Sequence, residues 1–296
     1  MVLRKAIRFA SNNIMSVPIV IRSFVAKEFH TNSSDVQKIE KCAQLAWKYR
    51  DVPDKYRLEK IAPHHFNHLM DLCRGFFETE SLTRATGSTI DNCRSAMEWL
   101  ISYSIAANQA VTNQSWISYF KETNSPVAFR IVNPVYRDPS TAPFTVPEPP
   151  SVLSHQEKIL FEPLDEIFNK VWEIYPEDNM IYKGVIVYID PAHRSSGLFH
   201  CMIDYNLNFP EIAEATGANH LVILCTANKS KRWYHEEGYK IIHKMEDGRK
   251  VMNARGEMVD LPEGEFWLMA TELRSTIPLD VYPFWKAFKK CPQGNY

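Results

Sequence analysis

The chain has 296 residues, 45% of them hydrophobic, with 34 Lys+Arg against 35 Asp+Glu and a formal charge of −1. That apolar content supports a sizeable core and excludes disorder throughout, and so balanced a charge offers no field to attract nucleic acid. The longest apolar runs, such as Val185-Ile-Val-Tyr-Ile189, break at Lys, Asp or Pro well short of the ~20 residues a membrane-spanning helix needs, so neither nucleic acid nor a membrane is expected as a partner.

Residues 1–34 hold Arg4, Lys5, Arg8, Arg22 and Lys27 against Glu28 alone, a balance of +4 that leaves −5 on the rest of the chain. Leu3, Ile7 and Ile14 share one helical face beside these cations, the acid-poor amphipathic composition of a mitochondrial transit peptide. The other reading is an arm packed on the domain, because Ile19–Val25 also suits a strand. Residues 1–50 are therefore read as a basic extension, with a cytoplasmic location and a mitochondrial one as the alternative.

Tyr56–Ile61 alternates as a strand does, and Pro63 then stands just inside a helix start. Phe66, Leu69, Met70, Cys73, Phe76 and Phe77 recur at helical spacing and make an apolar stripe. A second helix is expected near Asp91–Ala107, with Ala96, Leu100, Tyr103 and Ala107 on its inner face. Residues 127–133 read as a strand, and the six prolines from Pro134 to Pro150 exclude an interior helix or central strand after it. A long helix over Lys158–Tyr175 follows, stopped by Pro176.

The second half alternates strand and helix. Gly184–Ile189, Leu221–Cys225, Tyr239–Ile242 and Phe266–Met269 read as strands, Leu198, Met202, Tyr205, Phe209 and Ile212 form a helical stripe, and Ser230–Glu237 is a short helix. A β-α-β unit within a mixed sheet assembles these. The six cysteines are scattered with no Cys-x-x-Cys pair, the pattern of reduced, buried and inert thiols in an intracellular protein.

The sharpest chemical feature is Ile189-Asp-Pro-Ala-His-Arg-Ser-Ser-Gly-Leu-Phe199, where a strand turns into a helix. A helix start presents unpaired N–H groups and partial positive charge, and Gly197 lets backbone approach a phosphate. Ser caps with a nearby Gly also occur at turns that bind nothing. After the next strand comes Thr226-Ala-Asn-Lys-Ser-Lys-Arg-Trp-Tyr-His-Glu-Glu-Gly-Tyr239. In order and spacing, the pair resembles the GNAT superfamily of acetyl-CoA-dependent N-acetyltransferases, with its Arg/Gln-x-x-Gly-x-Gly/Ala loop and later Tyr-x-x-x-Gly-Phe/Tyr. Arg194, Gly197, Tyr234, Gly238 and Tyr239 carry the match. Phe199 departs from it, standing where the family has a small residue, and Asn228 precedes Tyr234 by six residues where the family's Asn precedes by seven.

Phe76-Phe-Glu-Thr-Glu-Ser-Leu82 is similar to the Phe-Phe-x-Asp-Glu-Pro-Leu segment of invertebrate arylalkylamine N-acetyltransferases, with Thr79 and Ser81 in place of Asp and Pro. The resemblance covers roughly residues 55–275 and leaves 276–296 as a tail. It implies a single α/β domain with a GNAT-type mixed, mostly antiparallel central sheet flanked by helices. It also implies acetyl-CoA as co-substrate, held by Ile189, Arg194, Ser195, Ser196, Gly197, Leu198, Phe199 and Asn228. Glu80 matches the family's base, Tyr234 the donor to the departing thiolate, and Ser230 a serine of the later helix.

The residue types suit that chemistry. A protonated amine must lose its proton before it attacks a thioester, and a partly buried carboxylate is a suitable acceptor. N–H groups at the end of Val185–Ile189 are placed to polarise the thioester carbonyl, and holding both reactants together supplies much of the rest. Other readings stay open: Glu80 as a solvated helix-end acid with Glu78 or Glu98 as base, Tyr234 as a packing residue, and Ser230 as an N-cap. His64 and His68 are four apart, but no acidic third ligand stands at motif spacing, so no metal is expected. The function expected is acetyl transfer to a primary amine of a small arylalkylamine. The alternatives are a protein lysine or N-terminal acetyltransferase and a non-catalytic acyl-CoA-binding regulator. Oligomeric state is not legible.

Overall fold

In a computed structural model, residues 52–111, 114–199, 202, 209–236, 238–245, 250–260 and 266–273 are described. Two compact units divide the chain. The smaller comprises Met1–Lys55, Ser195–Leu207 and Ser275–Tyr296; its described parts are a helical turn at Val52–Lys55, residues 195–199 and Met202. The expected basic extension and C-terminal tail lie outside the described residues.

The larger unit, Tyr56–Arg194 with Asn208–Arg274, is a single α/β domain. Strands β1 (Tyr56–Lys60), β2 (Trp116–Phe120), β3 (Ser125–Tyr136), β4 (Met180–Ile189), β5 (His220–Cys225), β6 (Lys240–Lys244) and β9 (Trp267–Glu272) form one sheet in the order β1-β2-β3-β4-β5-β9-β6. Its pairs are antiparallel except β4–β5, whose parallel run requires the crossover that contains helix α6 (Phe209–Thr216). Two further strands, β7 (Lys250–Met252) and β8 (Met258–Asp260), make a hairpin between β6 and β9.

Helix α1 (Phe66–Thr79) buries Leu69, Leu72, Cys73 and Phe77, with Phe66, Met70 and Phe76 packed partly against the same core, as its stripe requires. The short α2 (Ser81–Thr86) follows directly. Helix α3 (Arg94–Ala110) corrects the expected inner face. Met97, Ile101, Ser104, Ile105 and Asn108 are buried alongside Ala96 and Ala107, while Tyr103 gives its hydroxyl to Pro134 O at 2.7 Å and Trp99 its indole N–H to Pro147 O at 2.9 Å. The proline-rich segment thus covers α3 on a second side.

Pro134 itself also departs from expectation, since it lies in β3 opposite Tyr182. It sits beyond the last β2–β3 pair, Trp116–Arg130, where β3 has a ladder on one side only and a proline is tolerated. The long helix expected before β4 is two, α4 (His155–Asn169) and α5 (Val171–Ile174), separated at Lys170.

The β4–β5 ladder runs only from Tyr182–Leu221 to Gly184–Ile223, although β4 continues to Ile189 and β5 to Cys225. A Cβ on Gly184 would stand 2.5 Å from Ile223 Cγ2, so only glycine permits this approach. An irregularity follows at once, Ile131 opposing Ile186 and Val132 opposing Gly184, which leaves Val185 extra. Beyond it the ends of β4 and β5 do not pair with each other.

Candidate active site

Helix α1 stops because Glu80 turns extended, at φ −76° and ψ 136°. Its side chain then caps α2: Oε2 accepts the N–H groups of Leu82 at 2.5 Å and Thr83 at 3.0 Å. Oε1 accepts the Thr226 hydroxyl at 2.9 Å, a contact across 146 positions of sequence. Thr226 immediately follows β5, so the half-buried carboxylate is fixed between the α1–α2 corner and the end of β5 that pairs with β9 but no longer with β4. A carboxylate has about four acceptor positions, and these donors take three. The other acids differ: Glu78 is exposed, and Glu98 is engaged in a surface pair with Arg94 at 3.2 Å.

Helix α7 (Asn228–Glu236) explains the tyrosine motif as a helix ending. Gly238, at φ 88°, donates its N–H to His235 O at 3.1 Å, and Tyr239 donates to Tyr234 O at 3.0 Å. These are the two bonds of a Schellman cap, and its hydrophobic contact is the Tyr234–Tyr239 ring pair, 4.9 Å apart and edge-on. Tyr234 is buried by this packing. Ser230 is the third residue of α7, so the structure corrects its reading as an N-cap. Asn228 Oδ1 accepts from Lys231 Nζ at 3.1 Å, and Lys231 is itself buried.

The turn after β4 is built from bonds within itself and one to β3. Asp190 N–H donates to Val127 O at 2.8 Å, His193 N–H to Asp190 O at 2.8 Å, and the Asp190 carboxylate accepts from Ala192 N–H at 2.9 Å. Arg194 is exposed and folds its Nε back to Ile189 O at 3.1 Å. Arg194 is extended, at φ −66° and ψ 154°, and Ser195 is left-handed, at φ 64°. Gly197, at φ 89°, repeats the left-handed geometry. Ser196 Oγ accepts from Leu198 N–H at 3.3 Å, Leu198 is buried, and Phe199 is half-buried in the helical turn that begins there.

The histidines do not converge as spacing suggested. The α-helix begins at Phe66, leaving His64 and His65 in a 3-10 turn (Pro63–His65), and His68 bonds the Tyr119 hydroxyl at 2.8 Å. Glu59, His64 and His65 do bring ligand-type atoms within 4.8 Å of one another. Buried His65, however, accepts Ala62 N–H on Nδ1 at 3.0 Å, which leaves its proton on Nε2, 3.0 Å from Glu59 Oε2. Both ring nitrogens are therefore used within the protein. Burial lowers the His65 pKa, against the opposing pull of Glu59. Burial likewise pushes the Cys73 and Cys225 thiols up to about 12 and Cys93 to about 11, so these buried sulfurs are poor nucleophiles.

Thr226 is the residue that sequence reasoning missed. Its only local mark is a hydroxyl between a strand and a helix, because its partner lies 146 positions away. No helix among the described residues is long and apolar enough to cross a membrane.

No family model matches the chain, and no curated protein matches it by sequence. Solved structures do match. Arylalkylamine N-acetyltransferase 2 from Aedes aegypti is 16% identical with a TM-score of 0.54, over 74% of this chain and 99% of that one. Drosophila melanogaster polyamine N-acetyltransferase, which forms N-acetylagmatine, is 13% identical with a TM-score of 0.53, over 73% and 99%. The C-terminal condensation domain of Ebony, solved with β-alanyl-dopamine, is 12% identical with a TM-score of 0.54, over 74% and 99%. The open seven-stranded sheet with its flanking helices has the fold of the GNAT acetyltransferases.

Proposed function

We propose that the protein is an acetyl-CoA-dependent N-acetyltransferase acting on the primary amine of a small arylalkylamine. The observation that carries the reading is the Glu80–Thr226 bond, which fixes a half-buried carboxylate at the end of β5, where β4 and β5 cease to pair. Glu80 accepts the amine proton, directly or through water, through its remaining acceptor position. Bound acetyl-CoA would supply the thioester carbonyl that the free amine attacks. The proposed contacts are the Arg194–Phe199 backbone and the Arg194 guanidinium for the pyrophosphate, with Asn228 for the pantetheine arm. Tyr234 returns a proton to the departing thiolate. No covalent enzyme intermediate is required.

Arylalkylamine as the acceptor class rests on the Phe76–Leu82 resemblance, with solved relatives whose titles name arylalkylamines, agmatine and β-alanyl-dopamine in support. The test is release of free thiol from acetyl-CoA across dopamine, tyramine, serotonin, polyamines and lysine peptides, beside calorimetry with CoA. Turnover on the aromatic amines is the expected result. Turnover confined to peptides would move the acceptor to a protein amine, and absence of CoA binding at millimolar concentration would remove the reading.

A further inference from the structure

The turn that delivers Arg194 is tied to a distant part of the sheet by one side chain. His193 ends the 3-10 turn Pro191–His193, one residue before Arg194. Its Nδ1 lies 3.0 Å from the hydroxyl of Tyr56, the first residue of β1, 137 positions away. Its ring also packs on Phe120 at the end of β2, with centroids 4.9 Å apart, and meets the Tyr56 ring edge-on at 5.7 Å. Tyr56 and Phe120 face each other in the β1–β2 ladder, at 5.7 Å between centroids, so the two strands present them to His193 as one surface. Tyr56 is 6% exposed and His193 half-buried, so the hydroxyl–imidazole bond is partly buried.

The other bonds of the turn are of a different kind. Those of Asp190, Ala192, His193 and Arg194 link neighbours within the segment or to the adjoining strand ends. Such bonds keep the turn's internal shape, yet they do little against its swinging as a body about the end of β4. A bond and two ring contacts to β1 and β2 do oppose that swing, because they act from outside the segment.

We propose that His193, held by the Tyr56 hydroxyl and the Phe120 ring, is the positioning residue that sets where the chain delivers Arg194. The inference rests on the acetyl-CoA reading of the turn that begins there. Its consequence is preorganisation: the tether holds Arg194 in its binding position before the ligand arrives, so losing it weakens ligand capture. The reacting groups Glu80 and Tyr234 are not part of the tether and are left as they were.

The experiment is calorimetry of CoA on the full chain, with steady-state kinetics on whichever amine is turned over. Tyr56→Phe deletes one hydroxyl inside a preserved ring, and it should weaken CoA about three- to tenfold. His193→Phe, which keeps a ring on Phe120 but not the nitrogen that bonds Tyr56, should match it, and the double variant should be no weaker than either single one. His193→Asn keeps an acceptor near the Nδ1 position without the ring. It should fall between wild type and His193→Ala, the weakest of the series. The KM for acetyl-CoA should rise in parallel while kcat at saturation stays within about twofold. Unchanged CoA affinity in Tyr56→Phe and His193→Phe would overturn the inference while leaving the acetyltransferase reading intact. Losses in kcat as large as those in affinity, with a lowered melting temperature, would overturn it as general destabilisation. A wild type that binds no CoA would bring down both.

Discussion

Glu80 and Glu157 are the same device in two settings. Each carboxylate accepts two backbone N–H groups and one hydroxyl: Leu82, Thr83 and Thr226 for Glu80, and Ser154, Ala96 and Ser95 for Glu157. Each caps one helix and reaches a second element. The difference is enclosure, for Glu157 is 2% exposed in the joint between α3 and α4, whereas Glu80 is half-buried at the end of β5. A hydrogen-bond inventory therefore does not identify a base. Exposure separates the two, for Glu157 is enclosed while Glu80, the proposed base, is open on one side.

The comparison is broken most directly at Glu80. Glu80→Gln keeps an oxygen for the α2 cap but removes the proposed base. Turnover at neutral pH should fall about a hundredfold or more, the range general-base removal costs, with CoA affinity by calorimetry nearly unchanged. Glu157→Gln should leave kcat per folded molecule alone. If the two variants lose activity alike, the distinction by access fails.

Stability should show the reverse. Glu157→Ala strands the buried N–H of Ala96 and breaks the cap on Ser154, a loss of about 2 kcal/mol. Glu80→Ala should cost about 1 kcal/mol, the usual worth of a helix cap. Urea melts of both measure the contrast. Acid adds a further test. Burial alone would raise the Glu157 pKa, but the bonds from Ser95, Ser154 and Ala96 outweigh it and hold the carboxyl below its ordinary value. A lowered native pKa contributes stability above the unfolded carboxyl's ~4.3 and loses it as pH falls through the native value. Between pH 5 and 3 the wild type should thus lose stability more steeply than Glu157→Gln.

The two sites also differ in how far sequence discloses them. Ser154-His-Gln-Glu157 is a capping box four residues long, with Ser154 Oγ accepting Glu157 N–H at 3.1 Å; it is readable in the sequence, and a helix start at Lys158 passes over it. The Tyr234–Tyr239 motif was legible because a Schellman cap is local, and α1 because its stripe has one period. Strand β2 was not, since Trp116, Ile117, Ser118 and Tyr119 are all buried and leave no alternation to read. The Glu80–Thr226 bond exists only once β5 has been laid beside α2, and no local pattern foretells it.

Thr226 sharpens the comparison by its donor alone. Thr226→Val keeps the shape and removes the hydroxyl that Glu80 Oε1 accepts, leaving that oxygen against a methyl group. The α2 cap through Oε2 persists, so the fold should survive with a loss within about 1 kcal/mol. The carboxylate then keeps its anchor on α2 but loses the one that fixes it to β5. Its effectiveness as base depends on orientation, so kcat should fall about three- to tenfold. KM for acetyl-CoA should stay within about twofold, and Thr226→Ser should restore the rate. The matching change at the enclosed site, Ser95→Ala, should lower stability and leave the rate unchanged. A Thr226→Val enzyme of wild-type rate would mean that the α2 cap alone positions Glu80, and that its junction with β5 is architecture in the same sense as Glu157.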